Sequence, residues 1–536
     1  MEKDTEMERR PHSRTFRSAT AALAILPLLA LSACSSGSGS QKANAAPSDG
    51  SLTVGLLRDI GQPPDPDIYY ANNGLAIVLN TYEGLVQYKN NVGDDEIAPR
   101  LAQSWTVSPD KTVYTFKLRD GVTFHDGTPF TSAAVKTSIA RRLAVNGGAA
   151  YLVEGVASVD TPDALTAVVT LKAPNVAFLD YLASPFGVKM VSPTGLAKQA
   201  GTDNAQTYLQ SHDLGTGPYE LTGAQVGSKY TLTQYGKYWG TISPFKTVNL
   251  PVFNDVSALQ LAVEHGDVSV SVANLPSSSL SKYEKNPTFN SDLLPTWQAA
   301  LVFVNPSKSF FSTKEARMAF LQSIDQKKLV SQVLLDRSEP ATTLYAKGTL
   351  AGGSDKQHIE YAPKVMANYA KTLPAGTPMV IGYASDNTNA EQMSSIVAAQ
   401  LQALGVKATA QGYPTSEIFS WASDPTKGPD AFMDGNNGAD GGNPYMWGHV
   451  FWDKTGGINY FGCDDPSTDA DLNSAVQTGD AATFARAAET YSATGCYMNL
   501  ANNKDWVVSQ KWLAGVPESH NIGANELDFS KLSIAK

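Results

Sequence analysis

The sequence predicts a mixed α/β protein of two or three domains. The chain has 536 residues, more than one hydrophobic core normally serves. Early segments alternate apolar and polar residues with period two, the mark of half-buried strands, whereas later segments follow a helical apolar stripe with a glycine and then a strand. No linker-like stretch recurs after residue 50, and no period of 20 to 50 residues repeats. The domains are therefore expected to share chain crossings rather than follow one another.

The elements bear this out in order. SLTVGLL, from Ser51 to Leu57, reads as a first strand that the following GQPPDPD breaks. In KTVYTFKLRDGVTF, Tyr114, Phe116 and Leu118 alternate with Thr115, Lys117 and Arg119. Asp120 and Gly121 then stand where a hairpin turn wants positive φ, so the segment predicts a β-hairpin. After a second Asp-Gly pair at 126 and 127, Thr131 is placed to cap a helix carrying Val135, Ile139 and Leu143 on one face. Thr166 to Leu171 reads as a strand. From Thr313, residues Ala316, Phe320 and Ile324 fall at helical spacing, and Asp325 is placed to cap a further helix. Met393, Val397, Leu401 and Leu404 form another stripe, ended by Gly405 and followed by the strand VKATA.

The N-terminus is a different kind of segment. Arg9, Arg10, Arg14 and Arg17 precede the apolar run from Ala19 to Leu31, and LSAC ends at Cys34. This is the pattern of a secretory signal, too short for a membrane span of about twenty residues. SSGSGSQKANAAPSDG, Ser35 to Gly50, reads as a flexible tether. Without residues 1–33 the chain carries 36 basic and 47 acidic residues, a net charge of −11. No basic stripe is present to track a phosphate backbone, which argues against nucleic acid as a partner. With Cys34 set aside, Cys463 and Cys496 remain, and a disulfide between them is the expectation for an exported protein.

Catalytic motifs are missing. GxSxG, HExxH, CxxC and a P-loop are all absent, and the seven histidines include no i, i+4 pair, so neither a cofactor nor a metal is expected. His125 beside Asp126 suggests a base with its orienting carboxylate, but Asp126-Gly127 is better read as a turn. The most unusual stretch is DGNNGADGGNP, Asp434 to Pro444. It lacks the twelfth-position Glu of a calcium loop and the pattern of a phosphate-cradling loop. Two readings remain: a surface turn, or a backbone-permissive loop that admits a ligand and aims a carboxylate at it.

Trp105 to Arg142, WTVSPDKTVYTFKLRDGVTFHDGTPFTSAAVKTSIARR, resembles the signature of the family 5 solute-binding proteins of ABC importers. Further blocks follow in the family's order, among them NTYEGLVQY from Asn80, GTGPYELT from Gly215, LQLAVEHGDVSV from Leu259 and GINYFGCDDPSTDADLNSAV from Gly457. LSAC likewise resembles a lipobox, with Cys34 the lipidated residue. The resemblance implies an α/β, two-lobed periplasmic-binding-protein-like fold (class II, cluster C) with an extra inserted subdomain. Its parts are expected as signal peptide 1–33, lipidated Cys and linker 34–50, lobe I from 51–80, 214–298 and 505–536, subdomain 81–213, and lobe II 299–504. A hinge is expected near 299–305 and 504–512.

The implied activity is capture, not catalysis: an extracytoplasmic, lipid-anchored, monomeric receptor that delivers an oligopeptide to a permease with ATPase subunits. In the peptide-binding branch, a Gly-Asp-x-x-Asp-Pro-like loop grips the peptide's α-ammonium with its first Asp, and ADGGNP aligns Asp440 with it. Asn436 and Asn437 stand near the place of an aromatic-rich pair. Tyr69, Tyr70, Asn72 and Asn73 lie in the loop that relatives direct into the cleft, and Trp297, Trp447 and Trp452 are candidate wall or stacking residues. Dipeptide-specific relatives present an Arg from the segment matching Tyr383 to Met393, which here has none. An oligosaccharide or metal chelate on the same fold is the alternative, with tryptophans lining the cleft beside an unpaired Asp440 favouring sugar; a secreted hydrolase is a third reading.

Overall fold

In a computed structural model of the chain, residues 45–71, 74–89, 96–352, 354–374 and 376–536 are described. Cys34, the leader, Asn72 and Asn73 lie outside them.

The first strand is interrupted. Ser51–Thr53 runs parallel to Thr247–Phe253, and Leu56–Leu57 pairs further along that same strand. Gly55 falls in the break, where a Cβ would stand 2.5 Å from Leu259 Cδ1. Lys229–Gln234 and Tyr219–Gln225 complete this five-stranded sheet.

A separate four-stranded sheet runs in the order Ala102–Val107, Val113–Leu118, Thr166–Leu171, Val156–Asp163. The hairpin is real but faces the other way. Val113–Leu118 pairs with the strand before it, through a turn in which Lys111 takes φ 58°. Gly121 does have positive φ, yet the residues after it do not return along the strand, and Thr123 bridges Pro129 instead. The turn chemistry was legible; the partner was not, because pairing is decided by a strand fifty residues away at Thr166–Leu171.

Helix Ser132–Val145 follows Thr131, whose side chain makes no capping bond. Val135 and Ile139 are buried, but Leu143 is 40 % exposed. The face that turns inward at that level carries charge: Arg141 and Arg142 are buried against Asp65 and Asp67.

The largest sheet has seven strands, with Tyr497–Gln510 and Phe289–Val304 adjacent at its middle. These two form an antiparallel ribbon along nearly their whole length. One half carries Val270–Val272, and the other continues through Ala431–Gly438, Pro378–Ala384 and Lys407–Tyr413. The ribbon thus joins two lobes. Its register breaks between Pro295 and Ala299, opposite Lys504 and Asn502, slightly ahead of the first hinge segment expected from sequence. A break of this kind frees ladder bonds and lets a strand bend.

The second lobe matches its sequence pattern closely. Lys314–Ser323 is helical, with Thr313 Oγ1 accepting from the Ala316 amide at 3.3 Å, and Asp325 caps the next turn through the Lys328 amide at 3.1 Å. Thr388–Ala403 packs Met393, Val397 and Leu401 into a buried cluster. Gly405 takes φ 90° and the parallel strand Lys407–Tyr413 follows. Cys463 and Cys496 form a disulfide with Cα atoms 6.4 Å apart, tying the approach to helix Pro466–Thr478 to the start of the ribbon. No helix among the described residues is long and apolar enough to cross a membrane.

Candidate functional site

The glycine-rich stretch is only partly a loop. Strand Ala431–Gly438 takes in its first five residues, and Asn443 accepts from the Tyr445 amide at 2.9 Å to cap helix Pro444–Phe451, with Pro444 in the first turn. The connection Ala439–Asn443 thus lies at the carboxyl end of a strand in an open α/β sheet, a place where such folds bind ligands. None of its glycines has positive φ. They are small for contact instead: a Cβ on Gly441 would fall 2.4 Å from Tyr88 Oη, and one on Gly438 2.7 Å from Gln298 Nε2.

Gln298 is the ladder neighbour of Gly438 on the adjacent strand, whereas Tyr88 reaches Gly441 from far off in sequence, and further bonds do the same. Tyr88 accepts from the Gly442 amide at 3.0 Å, Ser184 Oγ donates to the Asp440 carbonyl at 2.5 Å, and Asn443 Nδ2 donates to Asp180 at 3.2 Å. At the centre, Asp440 Oδ2 accepts from Tyr70 Oη at 2.6 Å and from Tyr151 Oη. Its residue is 4 % exposed. Burial pushes the carboxyl pKa up, while the two hydroxyls and the field of His449 pull it down. Among the described residues no lysine or arginine pairs with it. Its hydrogen bonds come from neutral hydroxyls, His449 supplies some positive field, and burial still leaves its pKa raised, so its charged form is only partly supported within the chain.

Of two cavities, the smaller adjoins this clasp through Tyr151, whereas Asp440, Tyr70 and Tyr151 do not line the larger. The larger, about 520 Å³, opens between the lobes at the ribbon, and its walls include Arg58 and Ser277 on one side, Arg337, Asp386 and Asn436 on the other, and Lys504 beside the register break. Its volume is that of a small-molecule site. Three links cross it: the Arg58–Asp386 ion pair, Asn389 Nδ2 to Ser277 Oγ at 3.2 Å, and Arg337 Nη1 to the Leu275 carbonyl at 3.0 Å. The smaller cavity, about 310 Å³, is lined by Tyr151, Tyr181, Tyr445 and His449.

The residues singled out from sequence divide accordingly. Tyr70 and Asp440 meet; Asn436 lines the larger cavity; Asn437 turns back to bond Asp434 at 2.9 Å. Tyr69, Trp297, Trp447 and Trp452 are core residues and not cavity walls: each is 3 % exposed or less. Trp297 stacks edge-on against Tyr88 at 4.7 Å, and Trp452 packs on Tyr345 and Tyr491. Large aromatics bury so much apolar area that the core takes them unless a ligand replaces that area. Tyr151, Ser184, Arg58 and Arg337 were missed, since contacts across hundreds of residues leave no local signal. His125 is structural: it joins Asp213 and, at 2.9 Å, the Gly217 carbonyl, while Asp126 holds the expected turn through the Thr128 amide.

Residues 96–459 match the family described as bacterial extracellular solute-binding proteins, family 5. The chain belongs to that family. It is 27 % identical over 417 residues to the probable D,D-dipeptide-binding periplasmic protein DdpA of Escherichia coli, covering 77 % of this chain and 79 % of the relative. It is 25 % identical over 395 residues to the nickel-binding periplasmic protein of the same organism, covering 70 % and 73 %. In fold it superposes on the Helicobacter pylori periplasmic binding protein DppA, solved with the peptide STSA, with TM-score 0.78 at 21 % identity over 92 % of this chain and 99 % of that one. The family is one of binding proteins with a two-lobed α/β architecture, and this chain shares it.

Proposed function

We propose that this solute-binding protein captures short peptides between its lobes, as the lipid-anchored, monomeric receptor of an ABC importer. The observation that carries the reading is Asp440: a carboxylate buried at the lobe junction, bonded by two tyrosines and short of a cation. As the lobes part, Tyr70 and Tyr151 leave with the first lobe, and a peptide ammonium takes their place before closure. Such a charge-assisted bond contributes about 1.5 to 3 kcal/mol. The register break at Pro295–Ala299 and Asn502–Lys504 serves as the hinge. Asparagines on the cavity wall suit a peptide main chain, whose amide donors and acceptors they match.

The sugar reading leaned on tryptophans lining the cleft, and Trp297, Trp447 and Trp452 sit in the core. Peptide remains the better-supported cargo. The test is calorimetric titration of a short peptide into the protein and into Asp440→Ala. Affinity is expected to fall at least tenfold in the variant while the melting temperature of the empty protein stays nearly unchanged. Equal affinity for the free and the N-acetylated peptide would defeat the ammonium role.

A further inference from the structure

A third cavity, of about 280 Å³, lies in the second lobe, and none of Tyr70, Tyr151 and Asp440 lines it. Strand Ser338–Pro340 separates it from the larger one. That strand pairs with the ribbon at Asn503, Asn502 and Ala501, and successive side chains of a strand point to opposite faces. Ser338 and Asn503 accordingly line the larger cavity, whereas Glu339 and Asn502 line this one.

Asp355 stands in its wall and is 1 % exposed. Its Oδ2 accepts from the Leu344 and Tyr345 amides at 2.7 and 3.3 Å. Its Oδ1 is out of water, with no hydrogen-bond partner among the described residues. Burial pushes the carboxyl pKa up, the backbone amides pull it down, and the charge of Glu489 adds to the rise. Among the described residues Lys347 is the one cation that lines the cavity, and its Nζ bonds Glu339 Oε1 at 2.7 Å. A buried acid oxygen left without a donor is costly to a fold, and rare for that reason.

The rest of the lining limits what can answer that oxygen. Glu339, Thr342, Thr343 and Asn502 bring oxygen acceptors, with no imidazole or thiol beside them. Among the described residues no group of three or more carboxylates, imidazoles or thiols is placed to hold a metal ion, and two carboxylates fall short of the set a hard cation takes. The volume approaches that of small-molecule sites. An organic ammonium brings both things Asp355 lacks, positive charge and N–H donors. Lys347 shows that Glu339 already accepts one, and with side chains 71 % and 46 % exposed their pair is weak enough to be exchanged. We propose that this cavity is a second ligand site of the protein, taking a small primary ammonium ion whose charge the Asp355 and Glu339 carboxylates share and whose N–H groups supply the donor that Asp355 Oδ1 lacks. The site stands on the other face of the strand from the larger cavity and owes nothing to the role of Asp440.

The test uses the mature chain and three probes in calorimetric titrations: n-butylammonium, tetramethylammonium and calcium. n-Butylammonium is expected to bind at millimolar concentration, and tetramethylammonium, which has the charge but no N–H donor, at least tenfold more weakly. Asp355→Asn keeps an acceptor for the two amides and is expected to weaken n-butylammonium at least tenfold, Glu339→Gln about threefold. Since Asp440 is itself proposed to meet an ammonium, the same titrations are run on Asp440→Ala. Binding that survives there and is lost in Asp355→Asn supports the site; binding lost in Asp440→Ala and kept in Asp355→Asn overturns it and leaves the reading of Asp440 standing. Equal binding of tetramethylammonium, tighter binding of calcium, or no binding of n-butylammonium also overturns it. One measurement needs no variant to fold. In nuclear magnetic resonance spectra of the unaltered protein the amide signals of Leu344 and Tyr345, which bond Asp355, are expected to shift as n-butylammonium is added, and their failure to move overturns the proposal.

Discussion

Around Asp65 and Asp67 the fold brings two arginines; around Asp440 it brings two tyrosines. All three carboxylates are almost fully out of water. In the first cluster Arg141 reaches Asp65 at 2.5 Å and Asp67 at 2.5 Å, and Arg142 reaches Asp67 at 2.6 Å. Arg142 also bonds the Pro66 and Phe186 carbonyls, at 2.7 and 2.9 Å. Burial works against charge on Arg141, but the two aspartates outweigh it and hold its pKa above the ordinary arginine value. Every charge there is answered within the chain. At Asp440 the answer is partial, since hydroxyls donate hydrogen bonds but carry no charge. On the proposed reading, the pair at Asp440 is left half made so that a cationic group of the solute can complete it.

The sharpest way to break this comparison is to remove one partner from each cluster. Arg141→Met leaves two buried aspartates uncompensated, and loss of one member of such a network costs about 3 to 5 kcal/mol. Asp440→Asn alters a carboxyl that no lysine or arginine pairs with among the described residues, so its effect on the stability of the empty protein is expected to stay within about 1 kcal/mol. Urea denaturation of both variants decides it. If Asp440→Asn proves as damaging as Arg141→Met, the carboxylate is a structural keystone and its availability to a ligand is lost.

Glu526 offers a third solution and a smaller effect. It is buried in the first lobe near Asp505, and burial first, then the Asp505 charge, pushes its pKa to about 8. It keeps its proton at neutral pH. A folded-state pKa above the ordinary value of 4.5 means that the folded state binds the extra proton, so the contribution is full below that value. It is lost as pH rises toward the folded pKa. Stability relative to Glu526→Gln is expected to decline from about pH 4.5 to about pH 8 and then level off. Thermal melts across that range check the sign, and a difference that grows with pH would refute the protonated acid.

How much of this could be read beforehand depends on the range of the interactions. The second-lobe helices were legible because Thr313, Asp325 and Gly405 act within a few residues of themselves. Asp440 was legible through its resemblance to a family loop. Its tyrosine neighbour at 151 was not, because 289 residues separate the two. The hairpin at Asp120-Gly121 shows the same limit: a turn can be seen locally, but its strand's partner is chosen by the sheet. Arg141 and Arg142 end the signature block, yet only the folded chain shows them facing Asp65 and Asp67. The tryptophans misled for a related reason. A ring that suits a sugar face suits a core equally well, and burial in the core won at 297, 447 and 452.

The smallest expected effect concerns Arg58 and Asp386, which join the two sides of the larger cavity near its mouth. Their side chains are 47 % and 31 % exposed, so water and salt share the pair's field. An exposed ion pair contributes roughly 0.2 to 1 kcal/mol. As a contact between the two sides of the cavity, it is expected to act on opening rather than on folding. Arg58→Ala is therefore expected to speed peptide release about two- to fivefold at low ionic strength and to leave the urea midpoint in place. The difference from the unaltered protein is expected to vanish near 1 M salt, where the Debye length shrinks to about 3 Å. Stopped-flow dissociation at two salt concentrations measures both. A loss of folding stability in place of faster release would put this pair with the arginine knot at Asp65, as structure, and not with the half-made pair at Asp440.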